Sequence, residues 1–112
     1  MNIQLDEGKL SEIKTDAILL RVFQDETHLD EHGIEIDNAL DGYVSQLIDD
    51  GEITGKSGEI TFLHTMGRLP TERIVLVGFG KIADLNPDIF RANCAEAARF
   101  LRRKKMRDVA ST

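Results

Sequence analysis

Tryptophan is absent from this 112-residue chain, and aromatic residues make up only 5% of it. The interior therefore has to be assembled from Ile, Leu, Val and Ala packed between helices and strands, with little contribution from large rings. This favours an α/β domain. A single cysteine, Cys94, excludes an internal disulfide. It lies among alanines on an expected helix and reads as small core filler, since a reactive thiol needs a base or an electropositive setting beside it. Long apolar runs are also missing. The longest are only four residues, as in Ile74-Val75-Leu76-Val77, far short of the ~20 residues that cross a bilayer. The start, MNIQLDEG, has neither the basic residues nor the apolar stretch of a secretory signal, so the expected location is the cytoplasm. With 41% apolar residues, a chain of this length suits one compact domain over residues 1–112, and a second would have no core.

Positive charge is scarce in the first half. Residues 1–59 hold 15 acids against 4 bases, whereas residues 60–112 hold 5 against 10, within a net charge of −6. Much of the positive charge is the run Arg102-Arg103-Lys104-Lys105-Arg107. At the end of an expected helix, such cations offset the negative end of the helix dipole. The other reading of this run is a patch that docks nucleic acid or an acidic partner, which the acidic first half opposes.

The elements read in the order β-β-α-β-β-α-β. Residues 2–6 alternate Ile3 and Leu5 with polar neighbours, residues 16–23 are rich in Ile, Leu and Val, and a turn at Gly8 joins the two strands. One helix is expected over residues 34–50, because Ile36, Ala39, Leu40, Tyr43, Val44, Leu47 and Ile48 follow a three-and-four spacing and Gly51 can cap the end. Turns at Gly55-Lys56-Ser57-Gly58 and at residues 67–70 bracket a strand over 59–65, and a buried strand follows at 73–77. These two strands are expected in the middle of the sheet. Asn86-Pro87 starts a helix that runs to the basic cluster, and residues 108–112 open a further strand. Because the segment 73–77 is apolar on both sides, it must be covered twice. The expected fold class is therefore α/β, a mixed sheet with helices on both faces.

No constellation in the chain specifies catalysis. Gly78-Phe79-Gly80-Lys81-Ile82-Ala83 follows a buried strand and superficially matches a dinucleotide-binding fingerprint. In that fingerprint the helix opens inside the glycine loop, whereas Asn86 and Pro87 place this helix several residues later. A tight strand-to-loop turn is the plainer reading, with Gly78, Gly80 and Lys81 kept as a weak anion-loop candidate. Gly55-Lys56-Ser57 lacks the upstream glycine of a phosphate loop. His28 and His32 are spaced for one helix face, but no third His or Cys is near, and Asp30 and Glu31 suggest a solvated acidic loop. His64 alternates with Phe62 along a strand, where packing or hydrogen bonding suits it better than catalysis. No catalytic and no metal-ligating residue is assigned.

A resemblance adds to this reading. The succession Gly8-Lys9-Leu10-Ser11-Glu12-Ile13-Lys14-Thr15-Asp16-Ala17-Ile18, then Asp37-Asn38-Ala39-Leu40-Asp41-Gly42, Gly55-Lys56-Ser57-Gly58-Glu59, the strand ending His64-Thr65, Arg73-Ile74-Val75-Leu76-Val77-Gly78-Phe79-Gly80-Lys81 and the Ala-rich helix around residues 92–99 resembles the N-terminal domain of leucyl aminopeptidases. The resemblance covers essentially the whole chain. It implies a macro-domain-like fold and, in the complete protein, a C-terminal catalytic domain with two divalent metal ions, zinc or manganese. It also implies a hexamer in which this domain packs beside the catalytic one. The family signature Asn-Thr-Asp-Ala-Glu-Gly-Arg-Leu is absent, so the chain is expected to stop before the catalytic domain and to be inert by itself, with apolar surface left to self-associate.

The macro likeness also implies an alternative, a module binding ADP-ribose, nucleotide or nucleic acid. Macro domains use a Gly-Asp-Ile-Thr turn and an Asn-Ala-Ala-Asn strand end. Here Lys9 stands for the acid, and Leu20, Arg21, Val22 and Phe23 stand for Asn-Ala-Ala-Asn. Polar groups that a buried ribose requires are thereby lost.

Overall fold

The computed structural model describes residues 2–5, 12–25 and 29–111. In chain order the elements are β1 (Asn2–Leu5), β2 (Ala17–Val22), α1 (Glu31–Ala39), α2 (Tyr43–Asp49), β3 (Ile60–His64), β4 (Arg73–Gly78), a 3-10 turn (Ile82–Asp84), α3 (Pro87–Arg103) and β5 (Asp108–Ser111). They form one five-stranded sheet in the order β1-β5-β2-β4-β3. Every neighbouring pair is parallel except β3–β4, which is antiparallel.

Alternation along the strands sorts the core into two layers, as side chains of period two must. Ile18, Leu20, Ile74, Leu76 and Ala110 point to one face and meet Ile36, Leu40 and Val44 from α1 and α2. Ala17, Val75, Val77 and Val109 point to the other and meet Ala97 and Leu101 from α3 with Met106. Strand β4 is covered on both faces, as its continuous apolar run requires, with Ile74 to Val77 fully buried.

Three expectations need correction. First, the single helix over 34–50 is two. Asp41 and Gly42 take left-handed backbone angles (φ 58° and 81°), and the chain turns there before α2 begins. Buried Asp37 makes the break tolerable. Its carboxylate accepts the Ser45 N–H at 3.0 Å and the Ser45 hydroxyl, placing a negative charge at the positive end of α2. Helix α1 also starts earlier than expected, at Glu31, because the Asp30 side chain caps the Gly33 N–H at 2.8 Å.

Second, β3 is an edge strand, not part of the middle, which β2 occupies. The 17-residue helix α3 leaves β4, crosses over β2 and delivers β5 to its far side, the long connection that parallel strands require. Residues 108–111 are thus an interior strand of the sheet, lying between β1 and β2. Asp16 locks β5 in place by accepting the Arg107 and Asp108 N–H groups at 2.7 and 3.0 Å. Third, Cys94 is exposed. Asn93, Ala97 and Leu101 form the buried stripe of α3, and Cys94 lies off it. The expected turn at Gly8 lies outside the described residues.

Candidate functional site

Open α/β sheets place ligands beyond the carboxyl ends of their parallel strands. In this sheet that rim is built from the segment after β2, the turn 55–58 before β3, and Gly78-Phe79-Gly80-Lys81 after β4. The two glycine-bearing turns lie backbone against backbone. A Cβ on Gly78 would sit 2.1 Å from the Lys56 carbonyl oxygen, and one on Gly55 would sit 2.6 Å from the Phe23 carbonyl carbon. Only glycine allows this approach.

Several amides of these turns are committed to backbone partners. Gly78 N–H donates to the Glu59 carbonyl at 2.7 Å, Phe79 N–H to Val22 at 3.0 Å and Gly80 N–H to Gly55 at 2.9 Å. Gly58 N–H returns a bond to the Gly78 carbonyl at 3.1 Å, and Gln24 N–H donates to Gly80 at 2.9 Å. Glu59 holds the neighbouring turn by accepting the Thr54 and Gly55 N–H groups at 2.9 and 3.0 Å and the Thr54 hydroxyl at 2.6 Å. Burial pushes the Glu59 carboxyl up, but these bonds and nearby Lys56 outweigh it, and the net effect lies below the ordinary range. From α3, Asn93 Nδ2 donates to Ser57 Oγ at 3.1 Å and ties the helix to the same turn. Of the anion-loop candidate, Gly78 and Gly80 are thus engaged in a backbone joint, and Lys81 keeps an exposed side chain. Helix α3 opens at Pro87, beyond this loop, with Asn86 Oδ1 accepting the Ile89 N–H at 2.9 Å.

Three aromatic rings pack along the same rim. Phe79 stacks on Phe90 (centroids 5.4 Å apart, 22° between planes) and lies 6.0 Å from Phe23. At the positions where macro domains have Asn-Ala-Ala-Asn, Leu20 is buried in the α1/α2 layer, Arg21 is exposed, Val22 is buried and Phe23 packs against the α3 layer. Lys9, at the position of the missing acid, lies outside the described residues.

The remaining candidates do not converge. His28 lies outside the described residues, and His32 sits in the first turn of α1 with a buried, unpartnered Nδ1. His64 is exposed at the end of β3 and meets Phe62 edge-on at 5.2 Å, the packing expected of it. The Cys94 thiol is pushed up by desolvation against the opposing pull of Arg21, which disfavours the nucleophilic thiolate. Among the described residues, no group of three or more His, Cys, Asp or Glu side chains is placed to hold a metal ion. Nor is any helix among them long and apolar enough to cross a membrane.

Reading residues 34–50 as one helix hid a second feature. An open groove of about 630 Å³ runs along β3, lined by residues that include Leu40, Tyr43, Phe62, Leu63, Met66 and the Arg68–Asp41 ion pair. Tyr43 is 45% exposed and Met66 85%. The sequence carried one signal for it, the Asp41-Gly42 turn dipeptide inside an otherwise helical pattern.

Comparison with known proteins decides what this domain is related to. The model of the cytosol aminopeptidase family, N-terminal domain, matches residues 19–112. The chain belongs to the cytosol aminopeptidase family, as its N-terminal domain. It is 32% identical over its full length to a probable cytosol aminopeptidase of Alkaliphilus oremlandii, and 38% identical to one of Geobacter sp. strain M21. It spans 22% of the length of each of these relatives. A tomato leucine aminopeptidase variant superposes on 99% of the chain with a TM-score of 0.73 at 21% identity, and the chain covers 22% of it. The macrodomain of Mycobacterium tuberculosis DarG superposes on 97% with a TM-score of 0.70 at 16% identity, over 74% of that chain. The fold is thus macrodomain-like, and the cytosol aminopeptidase N-terminal domain shares it.

Proposed function

We propose that this domain is the non-catalytic N-terminal part of a cytosolic, metal-dependent leucyl aminopeptidase that releases N-terminal amino acids from peptides. The observation that carries the reading is the full-length match to proteins named probable cytosol aminopeptidase, of which the chain accounts for 22%. Metal-assisted hydrolysis would require convergent side-chain ligands to hold the ions, which would supply Lewis-acid chemistry. The described residues do not fit a pair of zinc or manganese ions, so the reading gives the chemistry to a C-terminal catalytic domain. The role left to this domain is to pack beside that domain and support a cytoplasmic hexamer. The test compares protein from the complete reading frame with the same protein lacking residues 1–112. Light scattering should show a hexamer only with the domain present; an equally stable hexamer without it would overturn the assembly role.

A second reading, a module that binds ADP-ribose, nucleotide or nucleic acid, is favoured by the exposed Lys81 beside the glycine turns. The committed amides of Gly78, Phe79 and Gly80 and the buried Leu20 weigh against it. Calorimetric titration of the chain with ADP-ribose separates the two: heat that saturates at a 1:1 ratio would favour the module, and none is expected.

A further inference from the structure

We propose that copies of this chain associate head to tail, the basic end of α3 on one copy meeting the acidic end of α2 on the next. The fold separates the two kinds of charge. Residues 29–55, which form the helices on one face of the sheet, hold eight acids and no lysine or arginine. Residues 87–107, on the other face, hold seven bases against two acids. The two clusters also lie at opposite ends of the strands. Arg68, in the turn before β4, pairs with Asp41, which fixes the start of α2 beside the amino end of β4 and sends residues 49–52 toward the carboxyl rim. Helix α3 runs the other way and brings the Arg107 N–H to Asp16, just before β2.

Neither cluster is neutralised within the chain. Asp37 accepts from Ser45 and Asp41 pairs with Arg68, while Arg91 and Arg99 pair with Asp88 and Glu96 inside α3 and Lys104 lies over the Phe62 and Phe100 rings. Asp49, Asp50 and Glu52 remain at one end and Arg102, Arg103 and Lys105 at the other, all exposed and in no ion pair with another described residue. The three cations suit the negative end of α3. The three acids stand at the negative end of α2, where carboxylates are unfavourable and the last turn holds no base. Cations from outside the domain relieve that placement. Among the described residues no three acids converge to hold a metal ion, so the matching charge has to be spread out as the acids are, and the α3 cluster is. The sheet keeps that cluster from the acids of its own copy, which leaves those of another. Because the two clusters are different surfaces, the contact is heterologous, and each added copy leaves one cluster open at either end.

Each copy carries a net charge of −6, so salt acts in two senses. At about 0.01 M the screening length, about 30 Å, matches the size of the domain and whole copies repel. At about 0.15 M it falls to about 8 Å and only touching clusters act, and at about 1 M those too are screened. Association should therefore be strongest at the middle value, in the weak class, with a dissociation constant of about 1 mM. The contact uses surfaces of this chain alone, so its test does not depend on the catalytic domain. Sedimentation of the chain up to about 2 mM at the three salt concentrations should show, at the middle one, a mass that climbs with concentration without levelling at a dimer. Arg102→Glu with Arg103→Glu, and separately Asp49→Lys with Glu52→Lys, should each weaken association about tenfold or more by turning two attractions into repulsions. Mixing these two variants, or combining all four substitutions in one chain, should restore it, which a folding defect could not do. A monomer at every salt concentration, association that grows steadily with salt, or a four-substituted chain that stays monomeric would overturn the proposal. So would binding of a single-stranded oligonucleotide through Arg102 and Arg103 with no self-association.

Discussion

Replacing Gly78 with alanine tests whether the glycine turns are a rigid joint. The new Cβ would lie 2.1 Å from the Lys56 oxygen and 2.8 Å from the Gly55 carbonyl carbon, both backbone atoms that no side-chain rotation can clear. Relief requires the turn 55–58 to move by roughly an ångström, and overpacking of this kind costs about 1–3 kcal/mol. The same movement strains the bonds from Gly58 to Gly78 and from Gly80 to Gly55, each contributing about 1 kcal/mol. A loss of about 3–5 kcal/mol is expected, a large fraction of the roughly 5–15 kcal/mol that holds a domain of this size. It corresponds to a fall in Tm of about 12–20 °C. Gly51→Ala is the control, because Gly51 shares a left-handed backbone (φ 80°) but has open space where the Cβ would go. It should lose only about 1–2 kcal/mol. Urea unfolding followed by circular dichroism measures both. Equal stability of the two variants would refute the joint and return Gly78 and Gly80 to the anion-loop reading.

Other perturbations address different parts of the fold. Bonds from the Asp108 and Arg107 amides hold the Asp16 carboxyl below its ordinary value despite an opposing desolvation effect. A depressed pKa gives stability that is complete above the unfolded value, about 4, and is lost as pH falls through the lower folded value. The stability gap between the natural chain and Asp16→Asn, read from urea midpoints, should therefore narrow as pH falls below about 4; a constant gap would contradict the lowered pKa. Asp37→Ala leaves the start of α2 uncapped and should lose about 1–2 kcal/mol with reduced helical circular dichroism; an unchanged unfolding curve would count against the cap. The exposed Cys94 should react fully with a thiol reagent in the folded chain, but more slowly than a free thiol at neutral pH. Reaction only after unfolding would restore the buried-filler reading.

Elements with strong local signals were legible from the sequence. The apolar run of β4 marked a doubly covered strand, Asn86-Pro87 marked the start of α3, and Gly51 followed α2 with the left-handed angle its position demands. Strand order was not legible, because it depends on α3 crossing over β2, and no local pattern records where a crossover lands. The placement of β3 failed for that reason, although its half-buried residues are typical of an edge. The helix break was masked because Ile36, Leu40 and Val44 keep helical spacing across the turn and reach the same core. Cys94 was misplaced because the inner stripe of α3 begins at a polar residue, Asn93, whose burial follows from its bond to Ser57. The groove along β3 needed both pieces of missing information, since it exists only where the α2 turn overhangs an edge strand.

The central claim is that residues 1–112 belong to an aminopeptidase without carrying its chemistry. Hydrolysis of a chromogenic leucine substrate, measured with added zinc or manganese for this chain and for protein made from the complete reading frame, tests it most directly. Activity in the complete protein and none in the 112-residue chain is the expected result. Metal-dependent turnover by the chain alone would contradict the claim, and silence in both would favour the binding module.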